Sequence, residues 1–215
     1  MPAPTLAVVE QEALACTRCP LHRGRTNVVF GVGNPDADLM FVGEGPGEQE
    51  DLEGEPFVGR SGRFLDRLMV EEMGLTRREC YVCNVVKCRP PGNRDPLPEE
   101  IAACRPYLAS QLELVDPRVI VTLGNFATKL LLGTTEGITE LRGRSYPLGA
   151  RVLVPTFHPA AVLRGGGETV AQMRADLVRA KQLLDERASR APGSVGGSTA
   201  RPAERPREPL EQLFG

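Results

Sequence analysis

Three of the side chains best suited to chemistry in this sequence stand where apolar runs end. Phe41-Val42 leads into the turn Gly43-Glu44-Gly45-Pro46-Gly47, which sets a carboxylate among glycines. Asn84 ends the run Tyr81-Val82-Cys83-Asn84, and His158 closes Thr156-Phe157-His158-Pro159. Phe57, in GEPFVGRSG, is an aromatic flanked by small or turn-forming residues. Glycines in such a turn let backbone amides approach a ligand. The turn is no phosphate cradle, because it has neither G-x-x-x-x-G-K-[ST] nor G-x-G-x-x-G, and Glu44 would repel a phosphate. A carboxylate held there suits polarising a water or facing a developing cation. The Asn84 amide can pair in two directions with the edge of a planar ring, and Phe57 offers it a stacking face. Taken singly, each residue also has a structural reading: tight turn, strand-end cap, core aromatic, satisfied imidazole. Their shared position at strand carboxyl ends joins Glu44, Asn84 and His158 into the inventory of a pocket for a flat heterocycle, such as an extruded nucleobase.

The six cysteines divide by local geometry. Cys16/Cys19 and Cys80/Cys83 form C-x-x-C pairs, while Cys88 and Cys104 stand alone. Cys80 and Cys83 lie in the strand-like run ECYVCNVV. Residues three apart on a strand point to opposite faces, so these two are expected as small core residues. Cys16 and Cys19 lie in a turn, where the same spacing chelates. Cys88 follows the strand and Cys104 sits early in the next helix, with RPPGNRDPLPEEIAA between them able to curl around a centre. Four thiolates suit zinc or an iron–sulfur cluster, and spacing does not choose between them. Four unrelated buried thiols remain the third reading.

The elements that must position these groups follow from periodicity. Strand character recurs over residues 39–42, 81–86, 119–123 and 152–157, with helical spacing near 63–73, 101–115, 126–132 and 170–186. A short helix is expected over 5–15. Continuous aliphatic strands alternating with helices predict a parallel sheet covered on both faces. The chain has 215 residues, 41% hydrophobic and 25% charged, as soluble globular domains do. No apolar run approaches the ~18 residues of a membrane span, and the start lacks a secretory pattern, so a cytoplasmic protein is expected. One domain is expected over 1–187. From 188 to 215 the sequence turns to Pro, Gly, Ser and Arg, which predicts a disordered tail. The cluster Leu210-Glu211-Gln212-Leu213-Phe214 at its end is a candidate for docking in a partner's groove.

The stretches GEGPGEQED, GEPFVGRSG, NVVKCRPPGNR and FHPAAVLR resemble the iron–sulfur, family-four uracil-DNA glycosylases of bacteria and archaea, in that family's order from about residue 10 to 185. The resemblance implies a [4Fe–4S] cluster on Cys16, Cys19, Cys88 and Cys104. It implies a three-layer α/β/α sandwich around a four-stranded parallel sheet. It also implies hydrolysis of the N-glycosidic bond of deoxyuridine in DNA, releasing uracil for base excision repair. By motif, Phe57 stacks on uracil, Asn84 reads its Watson–Crick edge, and His158 bonds a carbonyl oxygen and stabilises the leaving group. Backbone groups around Glu44 and Gly45 would hold the other edge, and Glu50 is placed to exclude the thymine methyl. Glu44 would face the attacking water and the oxocarbenium-like sugar, where better-known single-domain relatives carry an aspartate.

With a net charge of only −2, contact with DNA must come from local charge. Lys87, Arg89, Arg94 and Arg164 are the candidates, and simply solvated arginines are the alternative. Leu163 is a candidate wedge for the gap an extruded base leaves. Some relatives carry a His-containing insertion after the second strand and stay covalently attached to DNA. The loop CRPPGNRDPLPEE has no histidine, so turnover is expected, and the protein is expected to be a monomer. The terminal LEQLF resembles a sliding-clamp pentapeptide with Leu210 in place of the usual glutamine.

Overall fold

The computed structural model describes residues 5–189. Six strands, β1 (Val32–Gly33), β2 (Leu39–Gly43), β3 (Tyr81–Asn84), β4 (Val119–Leu123), β5 (Tyr146–Leu148) and β6 (Arg151–Thr156), form one sheet in the order β1-β3-β2-β4-β6-β5. The middle four pair in parallel, and β1 and β5 close the two edges antiparallel. The expected four parallel strands are therefore the centre of a mixed six-stranded sheet. The two added strands carry little sequence signal: β1 is two residues long, and β5 contains Pro147, a residue tolerated at an edge because it cannot donate to a ladder.

Every residue of β2 and β4 is buried, as in strands covered on both faces. Alternation then assigns side chains to two separate cores. Met40, Val42, Cys83 and Ile120 face the layer of α1 (Leu6–Leu14), α4 (Pro98–Val115) and α5 (Asn125–Leu132). Leu39, Phe41, Val82, Val121 and Val154 face α3 (Arg60–Leu68), α7 (Pro159–Gly165) and α8 (Gly167–Ser189). The result is the expected three-layer sandwich. Cys80 and Cys83 fall in opposite cores, as strand geometry requires.

Two short helices complete the order, α2 (Glu48–Glu53) after the glycine turn and α6 (Ile138–Leu141) before β5. A π-helical turn, Met69–Met73, extends α3 and is ended by Gly74 at φ 64°. No helix among the described residues is long and apolar enough to cross a membrane. Helix α8 continues to Ser189, past the expected boundary at 187. The remaining tail, with Leu210–Phe214, lies outside the described residues.

Candidate active site

A cavity of about 590 Å³ opens at the carboxyl edge of the sheet, where the turns after β2, β3, β4 and β6 meet. Glu44, Gly45, Glu50, Phe57, Asn84 and His158 all line it, so the structure brings the sequence candidates together. Gly43 is what allows so close a gathering. A Cβ there would lie 2.4 Å from both Asn84 Oδ1 and Phe57 Cζ, inside any tolerable contact. The turn is registered against the chain beyond β3 by two backbone bonds, Val85 N to Gly43 O at 2.9 Å and Val86 N to Glu44 O at 3.0 Å.

The polar groups of this pocket are poised rather than satisfied. Asn84 is buried, and its Oδ1 has no hydrogen-bond partner among the described residues. An acceptor that lines a cavity without a protein partner is available to a donor on whatever enters it. His158 caps α7, and its Nδ1 accepts from the Ala160 backbone N–H at 3.2 Å. Desolvation, helped by Arg164 and opposed by Glu50, lowers its pKa to about 4. The ring is thus neutral at pH 7, and with Nδ1 occupied as an acceptor its proton resides on Nε2, a donor without a partner among the described residues. Phe57 lies beside it, ring centroids 5.8 Å apart and planes tilted by 32°. Gly124, at φ 91°, lets β4's end approach from the other side, since a Cβ there would sit 3.0 Å from His158 Cβ. Desolvation, with Asp95 adding its charge, raises the Glu44 carboxyl to about 7.

Glu50 binds two of the pocket's walls together. Its Oε2 accepts from Gly47 N at 3.1 Å, and its Oε1 from Val58 N at 3.0 Å and Gly59 N at 2.9 Å. The carboxylate therefore cross-links the glycine turn to the Phe57 loop.

A second, much smaller cavity of about 20 Å³ is lined by Cys16, Cys19, Cys88 and Cys104. Their sulfurs meet nitrogen donors: Arg25 Nη1 to Cys88 Sγ at 3.3 Å, and Lys87 N to Cys104 Sγ at 3.2 Å. Arg25 Nη1 also donates to Cys16 O at 2.8 Å, tying the turn to the loop after β3. Burial raises the Cys104 thiol to about 11 and raises Cys19 and Cys88 as well. As apoprotein groups these are thiols, and a bound metal would be what deprotonates them. Among the described residues, no three His, Cys, Asp or Glu side chains are set to hold a single metal ion.

A family model for the uracil DNA glycosylase superfamily matches residues 30–181, which include all of the pocket-forming motifs. The chain belongs to that superfamily. Similar relatives are type-4 uracil-DNA glycosylases. That of Thermotoga maritima is 46% identical over 182 residues, 83% of this chain and 94% of the relative. That of Sulfurisphaera tokodaii is 46% identical over 167 residues, 74% and 76% of the two chains. The Archaeoglobus fulgidus protein is 45% identical over 163 residues, 72% and 81%. The chain falls within this type-4 group.

Against this type-4 frame, the residues expected at DNA separate. Arg164 is exposed at the pocket mouth, and Leu163 is half-buried, packed against the α3/α7/α8 core. Arg89 is half-buried, its Nε on Asn93 Oδ1 at 2.7 Å. Arg94 lines the pocket but spends its guanidinium on Glu100, at 2.6 and 2.9 Å. The expectation that Lys87 meets phosphate is corrected. Lys87 is 1% exposed, its Nζ donating to Asn84 O at 2.6 Å and to Gln111 Oε1. Asp95, Asn125, Phe126 and Ile138 line the pocket without having been singled out in the sequence. Asp95 had a signal, since its proline-rich loop begins at β3's carboxyl end and so had to pass this edge.

Proposed function

We propose that this chain extrudes deoxyuridine from DNA and hydrolyses its N-glycosidic bond, as the names of its relatives suggest. The observation that carries this is the unpaired, buried Oδ1 of Asn84 beside the Phe57 ring and the Nε2–H of neutral His158. Uracil offers an N3–H donor to Oδ1 and a C4 carbonyl to the Asn84 amide N–H. Cytosine presents a lone pair and an amino group there, so both contacts are reversed and buried partners go unpaired. Thymine has uracil's edge plus a methyl, and the Glu50 cross-link denies the wall the freedom to make room for it.

As the C1′–N1 bond breaks, its electron pair leaves on uracil, and Nε2–H of His158 donates to the carbonyl oxygen where that charge gathers. Water attacks C1′ from the opposite side. Glu44, its carboxyl raised to about 7, accepts the water's proton and faces the cationic sugar. Arg164 and Arg89 supply phosphate contacts, and Leu163 fills the stack.

The four cavity cysteines have the donor set for a [4Fe–4S] cluster, which when bound would supply a four-thiolate cross-link between the Cys16/Cys19 turn and the segment from Cys88 to Cys104. Docking on a sliding clamp through Leu210–Phe214 and action as a cytoplasmic monomer complete the reading. Unchanged clamp affinity after removal of residues 208–215 would dismiss the docking.

The deciding experiment incubates the protein with single- and double-stranded oligonucleotides carrying one uracil, followed by alkali. Scission by the wild type but not by Asn84→Asp or His158→Ala is the expected result. Intact DNA released by the wild type would overturn the proposal. Iron and zinc analysis of the purified protein, with its visible absorbance, decides the metal.

A further inference from the structure

We infer that Arg77, which does not line the pocket, is a positioning residue that holds the stacking ring of Phe57 in place; this rests on the proposed base excision. Phe57 has φ 57°, in the left-handed region that an aromatic residue with a Cβ seldom adopts. Such a conformation persists only where the surroundings over-determine it. Two contacts do so here. Arg77 spreads its guanidinium over consecutive carbonyls, Nη1 donating to Pro56 O at 2.7 Å and Nη2 to Phe57 O. From the other side Gly62, in the first turns of α3, comes so near that a Cβ on it would lie 1.6 Å from Phe57 O.

The guanidinium is itself fixed, because Nε donates to Asp66 Oδ1 at 2.6 Å on the same helix. Arg77 begins the short turn Arg77–Glu79 that runs into β3, whose last residue is Asn84. One continuous segment therefore holds the ring that stacks at one end and carries the amide that reads the base edge at the other. Without the fork, Phe57 is free to return to an ordinary backbone region, and its ring leaves the contact with Gly43 and His158 that shapes the slot. A planar five-donor group is required, since a lysine ammonium cannot span two carbonyls and a carboxylate in one plane.

The test compares Arg77→Met, Arg77→Lys, Phe57→Ala and the double variant Arg77→Met/Phe57→Ala. Single-turnover excision from a uracil oligonucleotide, inhibition by free uracil and binding of uracil-free DNA are the readouts. Stacking on an aromatic changes affinity by roughly five- to a hundred-fold per base. Arg77→Met is expected to slow excision and weaken uracil inhibition by about ten-fold, with binding of uracil-free DNA unchanged. Arg77→Lys is expected to restore melting temperature but not uracil inhibition. In the Phe57→Ala background, Arg77→Met should add nothing, because the two act through one ring. Additive losses, or a lowered melting temperature with uracil inhibition intact, would overturn the assignment. Should Arg77→Met not fold, Arg77→Lys and Asp66→Asn carry the same comparison. A wild type that releases no uracil refutes the proposed function instead, whereas a Phe57-dependent enzyme indifferent to Arg77 refutes only this inference.

Discussion

The two cavities are neighbours built on opposite rules. Asn84 lines the larger one and Cys88 the smaller, with Val85, Val86 and Lys87 between them. In the larger, among the described residues, Asn84 Oδ1 has no partner and His158 bonds only through Nδ1, while burial raises the Glu44 carboxyl to about 7. In the smaller, the Cys88 and Cys104 sulfurs already take hydrogen bonds from Arg25 and Lys87. Stored polar need belongs to a site that receives a partner on each turnover. Groups bonded from within would suit the resident cluster proposed above.

The largest effect should come from breaking the first rule alone. His158→Ala is expected to lower the single-turnover excision rate by roughly a hundred- to a thousand-fold, the usual loss on removing one donor to a developing anion. Its melting temperature should fall by no more than the few degrees that loss of the α7 cap accounts for, which differential scanning calorimetry would check.

Cys88→Ser should do the reverse. We expect reduced iron content and a melting temperature lower by roughly 10 °C, corresponding to a few kcal/mol in a domain of this size. The excision rate per folded molecule should stay close to that of the wild type. A Cys88→Ser protein that melts normally but cannot excise would erase the distinction between the cavities.

A pH profile sharpens the pocket's side. With its carboxyl at about 7, Glu44 gains its charge as pH rises, so the rate should climb about ten-fold from pH 6 to a plateau above about pH 8. Glu44→Gln should flatten that limb. His158, with its pKa at about 4, contributes no limb in this range.

The smallest effect concerns Lys87, which lines the smaller cavity and bonds the backbone of Asn84 in the larger. Lys87→Met should reduce stability by about 1–3 kcal/mol, because the Asn84 carbonyl and Gln111 lose their buried donor. The salt slope of DNA binding should not change. Arg164→Ala should instead lower that slope by about 1, as loss of one phosphate contact does.

How much was legible in the sequence depended on how locally each feature is determined. The central strands β2 and β4 were readable because burial on both faces leaves an uninterrupted apolar run. Glu44, Asn84 and His158 were readable because a strand's end fixes its position on the sheet. Cys80 and Cys83 separated correctly on pleat geometry alone. Lys87 misled because its partner Gln111 lies on α4, well away in the chain, and a lysine beside arginines looks exposed. Glu50 was placed at the pocket, but the three amides it gathers come from two loops whose approach no local pattern encodes. Asn125 went unread for the same reason, whereas Asp95 stood on a loop whose start at β3's carboxyl end already pointed to this edge.

The approach of Gly43 to Asn84 and Phe57 also limits how this gene can drift. Any single-base change in the first two positions of a glycine codon yields a residue with a Cβ, or a stop. At Gly43 that carbon would occupy the space between the ring and the amide. Alanine, the mildest neighbour by mutation, already obstructs the slot, so the specificity of this pocket has no gradual path of change through its floor. Diversification has to proceed through the walls, where Glu50, Asp95 and Asn125 stand.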